Sequence, residues 1–137
     1  MIFVDTSAIY AFLSRDDQDH ERVRAAFESA LAGGQSLVAT SYVVAETMGL
    51  VQRRLGLGPL ARLVADVLPL VELRWVGPAE HRAAWQLLQE VGKRAFTIVD
   101  ASSAAAMRSE GARRILALDA EFERLGCEVL PAPEAIG

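Results

Sequence analysis

Short runs of β-forming residues, unbroken by polar alternation, constrain this chain more than any other feature. Ile2-Phe3-Val4 and Ile115-Leu116-Ala117-Leu118 are apolar throughout. A strand with one wet face alternates, whereas a strand covered on both faces does not, and the usual setting for the second kind is a parallel sheet flanked by helices. Between the runs, apolar residues recur at helical spacing, as in Val23, Ala26, Phe27 and Ala30. Strands alternating with helices imply an α/β fold with a mostly parallel sheet.

The pattern predicts strands at 2–4, 36–40, 71–76, 115–118 and 128–130. Helices are expected over 6–13, from an Asp17 or Asp19 cap to about residue 32, and from a Ser41 cap to about 55. Further helices are expected over 60–68, from Pro78 as first helical residue to about 91, from 97 to 110, and briefly over 120–125. Gly33-Gly34, the 56–59 stretch, Pro69 and Gly111 are the stops. A chain of 137 residues with no repeat and no linker-like segment reads as one domain, 1–137.

Bulk properties exclude several classes. One cysteine, Cys127, leaves no internal disulfide and no multi-thiolate zinc site, and fits a reducing cytoplasm. No basic segment precedes a long apolar stretch near the N-terminus, and no apolar run approaches the ~20 residues of a membrane span, so neither secretion nor membrane insertion is expected. The net charge of −4 does not advertise a nucleic-acid binder. Basic residues are nearly all arginine, with Arg53-Arg54, Lys93-Arg94 and Arg113-Arg114 as possible phosphate contacts.

Four acids stand beside core-type residues. Asp5 ends the first apolar run, Asp119 ends the fourth, Asp100 follows Phe96-Thr97-Ile98-Val99, and Glu46 follows Tyr42-Val43-Val44-Ala45. A carboxylate in such company is costly unless something pairs with it. Asp5 and Asp119 fall at carboxyl ends of strands, the rim where open α/β sheets bind ligands. Each also suits a helix cap, and Thr97 with Asp100 resembles a capping box. Glu46 has apolar or small helical neighbours, which points it inward. Several carboxylates without Cys or His suit Mg²⁺ or Mn²⁺ and phosphodiester chemistry. His20 and His81 read as solvated, and Trp75 and Trp85 as core or packing residues rather than base-stacking platforms.

The segments Val4-Asp5-Thr6-Ser7, Ala45-Glu46-Thr47, Ile98-Val99-Asp100-Ala101-Ser102 and Ala117-Leu118-Asp119-Ala120-Glu121-Phe122 together resemble the PIN-domain ribonucleases, specifically the VapC-type toxins of toxin–antitoxin pairs. The resemblance spans essentially the whole chain. It implies a three-layer α/β/α fold with a five-stranded sheet and endoribonuclease activity dependent on Mg²⁺ or Mn²⁺. Asp5, Glu46, Asp100 and Asp119 would then be catalytic, with Asp5, Asp100 and Asp119 as metal ligands. Thr6 or Ser7 would orient a carboxylate or water. The family also implies an RNA substrate, a cognate antitoxin and a homodimer. The departure is Ala117, where many relatives carry a threonine. Rival readings are a phosphoacceptor (receiver-like) or haloacid-dehalogenase-like domain using Asp5, and a catalytically degenerate antitoxin-binding module. A receiver-like domain would need a lysine after a late strand, which is missing, and a haloacid-dehalogenase-like one an acid two residues after Asp5, where Ser7 stands.

Overall fold

The computed structural model describes residues 1–132; the end of the Pro-bearing tail, 133–137, lies outside the described residues. The order is β1 (Ile2–Val4), α1 (Thr6–Leu13), α2 (His20–Ala32), β2 (Leu37–Thr40), α3 (Ser41–Leu55), α4 (Leu57–Arg62), β3 (Glu72–Arg74), α5 (Pro78–Val91), α6 (Ile98–Glu110), β4 (Arg114–Leu116), α7 (Glu121–Arg124) and β5 (Glu128–Leu130). Among the described residues the strands form one five-stranded sheet in the order β3-β2-β1-β4-β5. All four pairings are parallel.

The period-two geometry of β1 explains its unbroken apolar run. Ile2 and Val4 pack on one face with Ile9, Phe27, Leu37 and Val43, beneath α1–α4. Phe3 points the other way, to Val38, Met107, Ile115 and Phe122. A third cluster, including Ala84, Leu87, Phe96 and Ala104, joins α5 to α6. Helices therefore cover both faces, as a three-layer α/β/α fold requires. Fully burying a side chain such as Phe3 or Ile115 stabilises by about 1.5–3 kcal/mol.

Local departures have physical causes. The N-cap of α3 is Thr40, not Ser41: Thr40 keeps the extended backbone of β2, and its hydroxyl accepts the Val43 amide at 3.2 Å. Ser41 is the first helical residue, and its hydroxyl accepts the Val76 amide at 3.0 Å. Gly56, at φ +98°, lets the chain turn once and resume helix at Leu57, earlier than residue 60. The helix then loosens into a π-helical turn at Leu63–Val67 and a 3₁₀ turn at Leu68–Leu70, which accommodates Pro69 instead of ending there. β3 is shorter than expected because it is an edge strand with exposed residues.

Trp75 and Trp85 are not core residues; they are 75% and 52% exposed. His20 is not solvated: its side chain is 13% exposed, and Nδ1 lies 2.7 Å from the Ala11 carbonyl oxygen, joining α2 to α1.

Candidate active site

β1 and β4 are adjacent and parallel, so Asp5 and Asp119 emerge at the same rim. Asp5 caps α1: its Oδ2 accepts the Ser7 hydroxyl at 2.6 Å and the Ser7 amide at 3.2 Å. The Ser7 hydroxyl in turn accepts the Leu118 amide at 3.0 Å, next to Asp119. The Asp5 amide donates to the Leu116 carbonyl at 2.8 Å. One serine thus ties the start of α1 to the loop after β4. Asp119 is half-buried, and its Oδ1 accepts the Glu121 amide at 2.9 Å, so it also shapes the entry to α7.

Asp100 lies in the first turn of α6, in a complete capping box. Its Oδ2 accepts the Thr97 amide at 2.9 Å, and the Thr97 hydroxyl accepts the Asp100 amide at 3.4 Å. Behind it, Thr40 and Ser102 hydroxyls meet at 3.1 Å, fixing the start of α6 against the end of β2.

Glu46 is exposed, which corrects the inward orientation expected from its neighbours. The inward residue is Thr47, fully buried with Val43 and Val51. Its hydroxyl donates to the Val43 carbonyl at 2.7 Å, which lets a polar side chain occupy the apolar face of α3. Thr6 Oγ1 lies 3.2 Å from Thr47 Oγ1. Of the two early hydroxyls, Ser7 therefore meets the Asp5 carboxylate, whereas Thr6 is turned to α3. The Thr6–Thr47 contact joins residues 41 apart, so neither was legible as a partner in sequence.

Electrostatics link the four acids. Burial raises the Asp5 carboxyl most, Ser7 hydrogen bonds oppose it, and the charges of Glu46 and Asp119 raise it further. Asp100 is pushed up to about 6, chiefly by burial and then by Asp5 and Asp119, against the lowering effect of Thr97. Glu46 is raised by partial desolvation and by Asp100, with Arg53 opposing. Each acid is thus within electrostatic reach of others. Among the described residues, no Arg or Lys forms an ion pair with any of them. Lys93 is bonded to Glu121, Arg114 to Gln35 at the opposite end of the sheet, and Arg54 sits over the Tyr10 ring.

As the side chains stand, no three His, Cys, Asp or Glu groups among the described residues have the spacing of a metal centre. The donor set still suits a hard cation. Asp5 Oδ1 is buried without a hydrogen-bond partner, and the surrounding carboxylates repel one another. An oxygen-ligated divalent ion answers both conditions. Tyr42 and His81, 39 residues apart, are joined by a hydrogen bond that links α3 to α5.

The order of the strands, the helices on both faces and the acids at the rim define a PIN domain. The PIN-domain family pattern matches residues 2–126, and the chain belongs to that family. It is 30% identical over 133 residues to the 23S rRNA-specific endonuclease VapC20 of Mycobacterium tuberculosis, covering 96% of this chain and 99% of that protein. The crystal structure of VapC20, described as a sarcin–ricin loop cleaving toxin, superposes with a TM-score of 0.81 at 28% identity, over 93% of this chain and 97% of VapC20. VapBC2 from Rickettsia felis, solved bound to a promoter DNA fragment, shares the fold: TM-score 0.71, 15% identity, 94% of this chain and 97% of that one.

Proposed function

We propose that this chain is an Mg²⁺- or Mn²⁺-dependent endoribonuclease, the VapC-type toxin of a toxin–antitoxin pair, acting as one domain over 1–137. The observation that carries the reading is the carboxylate cluster at the β1–β4 rim, in a chain of the PIN family that is 30% identical to a 23S rRNA endonuclease over almost its full length.

Asp5, Asp100 and Asp119 are the residues that would hold the ion. When bound, Mg²⁺ or Mn²⁺ supplies charge neutralisation at the scissile phosphate and an activated water. Asp5 contributes a carboxylate fixed before substrate arrives, because Ser7 holds Oδ2 and leaves the buried Oδ1 without a partner. The Thr97 capping box holds Asp100 in the same manner. Glu46, exposed and raised above its ordinary range, is suited to position the attacking water and accept its proton.

The partners that fit are RNA, an antitoxin and a second copy of the chain. Exposed Leu55, Leu57 and Val64 supply apolar surface for a protein partner. No described helix is long and apolar enough to cross a membrane, and a cytoplasmic site of action is part of the same proposal. The test is to incubate the protein with a 23S rRNA sarcin–ricin stem–loop and a panel of other RNAs, with Mg²⁺ or Mn²⁺. Cleavage by the wild type and its loss in Asp5→Asn support the reading. Undiminished cleavage by Asp5→Asn overturns it.

A further inference from the structure

We propose that the recess between the starts of α3 and α5 is a nucleobase subsite, in which Tyr42 and His81 take an unpaired base of the RNA about one helical turn from Glu46. The proposal rests on the ribonuclease reading and extends it to substrate positioning.

The recess measures about 360 Å³ and is lined by Tyr42, Val76, Gly77, Pro78, His81 and Arg82. It is a shallow depression open to solvent, able to seat one planar group against its aromatic wall but not to enclose it. Tyr42 Oη lies 2.6 Å from His81 Nδ1, and the rings meet edge to face at 5.9 Å. This leaves ring surface and one imidazole nitrogen available to a ligand. Base recognition in single-stranded RNA uses such groups: an aromatic face to stack on and a donor or acceptor for the base edge.

The recess is built and held. Ser41 accepts the Val76 amide at 3.0 Å, which anchors the loop before α5 to the start of α3. Arg74 bonds Glu80 at 2.8 Å and also Glu110, which fixes the first turn of α5. Neither ring has to be ordered by the ligand, so little of the stacking free energy is lost to ordering.

Its position follows the active site. Tyr42 and Glu46 are four residues apart on α3, so they share a helix face about one turn apart. Trp85 is four residues beyond His81 on α5 and 52% exposed. Tyr42 and His81 thus offer ring surface about one helical turn from Glu46, and Arg82 at the edge of the recess offers a guanidinium for the backbone. The plainer reading of the Tyr42–His81 bond is a staple between two helices. The two readings differ in what an abasic RNA does.

The experiment uses the full chain and a fluorescein-labelled RNA stem–loop that the wild type cleaves, with a series in which single loop nucleotides are made abasic. Binding is read by anisotropy in the presence of chelator, and cleavage by kcat and KM with Mn²⁺. For Tyr42→Ala and His81→Ala, RNA affinity should fall roughly tenfold and KM should rise more than kcat falls. Tyr42→Phe, which keeps the ring, should recover most of the affinity. One abasic position should cost the wild type the same factor and cost Tyr42→Ala nothing more. If both alanine variants bind intact and abasic RNA within twofold of the wild type while thermal stability drops, the contact is a staple and the subsite is overturned. If the wild type cleaves no RNA with metal present, the ribonuclease reading fails first, and the subsite with it.

Discussion

Ser7 Oγ accepts the amide of Leu118, 111 residues away, at 3.0 Å, while its own proton goes to Asp5. The serine is therefore a clamp between two strand ends, and it sets where Asp5 and Asp119 lie relative to each other. Ser7→Ala should lower metal affinity or cleavage roughly 10- to 100-fold, the range for a residue that orients a ligand. Manganese titration by calorimetry beside cleavage kinetics checks it. Unchanged values in both would show that the clamp is dispensable.

Asp5→Asn should reduce cleavage by at least roughly a hundredfold. The amide can still accept from Ser7, so the cap of α1 survives and the circular dichroism spectrum should match that of the wild type. Loss of the helical signal would make the variant uninformative about chemistry and would show that the charge of Asp5 is needed for folding.

Stability should depend on pH in the sense opposite to ordinary acid denaturation. Asp100 has a carboxyl raised from 3.8 to about 6, so between those values the metal-free folded chain holds its proton more tightly than the unfolded chain does. Unfolding free energy then falls as pH rises from about 4 to about 6 and is not regained above. Asp5 and Glu46 act with the same sign. In chelator, Asp100→Asn should be more stable than wild type at pH 7 by about 1–2 kcal/mol, allowing for partial solvent exposure. The advantage should vanish near pH 4. Urea denaturation at both pH values measures it, and parallel pH profiles for the two proteins would contradict the assignment.

Divalent metal should reverse that penalty. Mn²⁺ at a hundred times its Kd should stabilise the wild type by about 2.7 kcal/mol through mass action. The thermal midpoint of the wild type should rise with Mn²⁺, and that of Asp5→Asn much less. Equal midpoints with and without millimolar metal would argue against an ion held by these acids.

Thr47→Val tests the buried hydroxyl link between α1 and α3. Removing it leaves Thr6 without its 3.2 Å neighbour inside the core, at a cost of about 1–3 kcal/mol. Chemical denaturation measures the loss. A neutral result would mean that Thr6 turns fully to the Val43 carbonyl, 3.5 Å away.

The layered α/β plan was legible in the chain, because continuous apolar runs and helical spacing record which faces are buried. Asp5, Asp100 and Asp119 were legible at element boundaries, where capping and rim position both act locally, and the Thr97–Asp100 capping box was visible in its spacing. Orientation around a helix was not. The apolar neighbours of Glu46 pointed inward, yet the buried face of α3 is Val43, Thr47 and Val51, where the Thr47 hydroxyl is satisfied by its own helix, and Glu46 is left exposed. Trp75 and Trp85 lie outside the core for a similar reason: which side of an edge strand or outer helix is covered depends on neighbours that residue type does not name. The contacts between distant segments, Ser7 with Leu118, Thr40 with Ser102 and Tyr42 with His81, emerge only when the chain is folded. Each is a hydrogen bond between groups whose proximity is set by strand order and helix packing, quantities that no local pattern in the chain encodes.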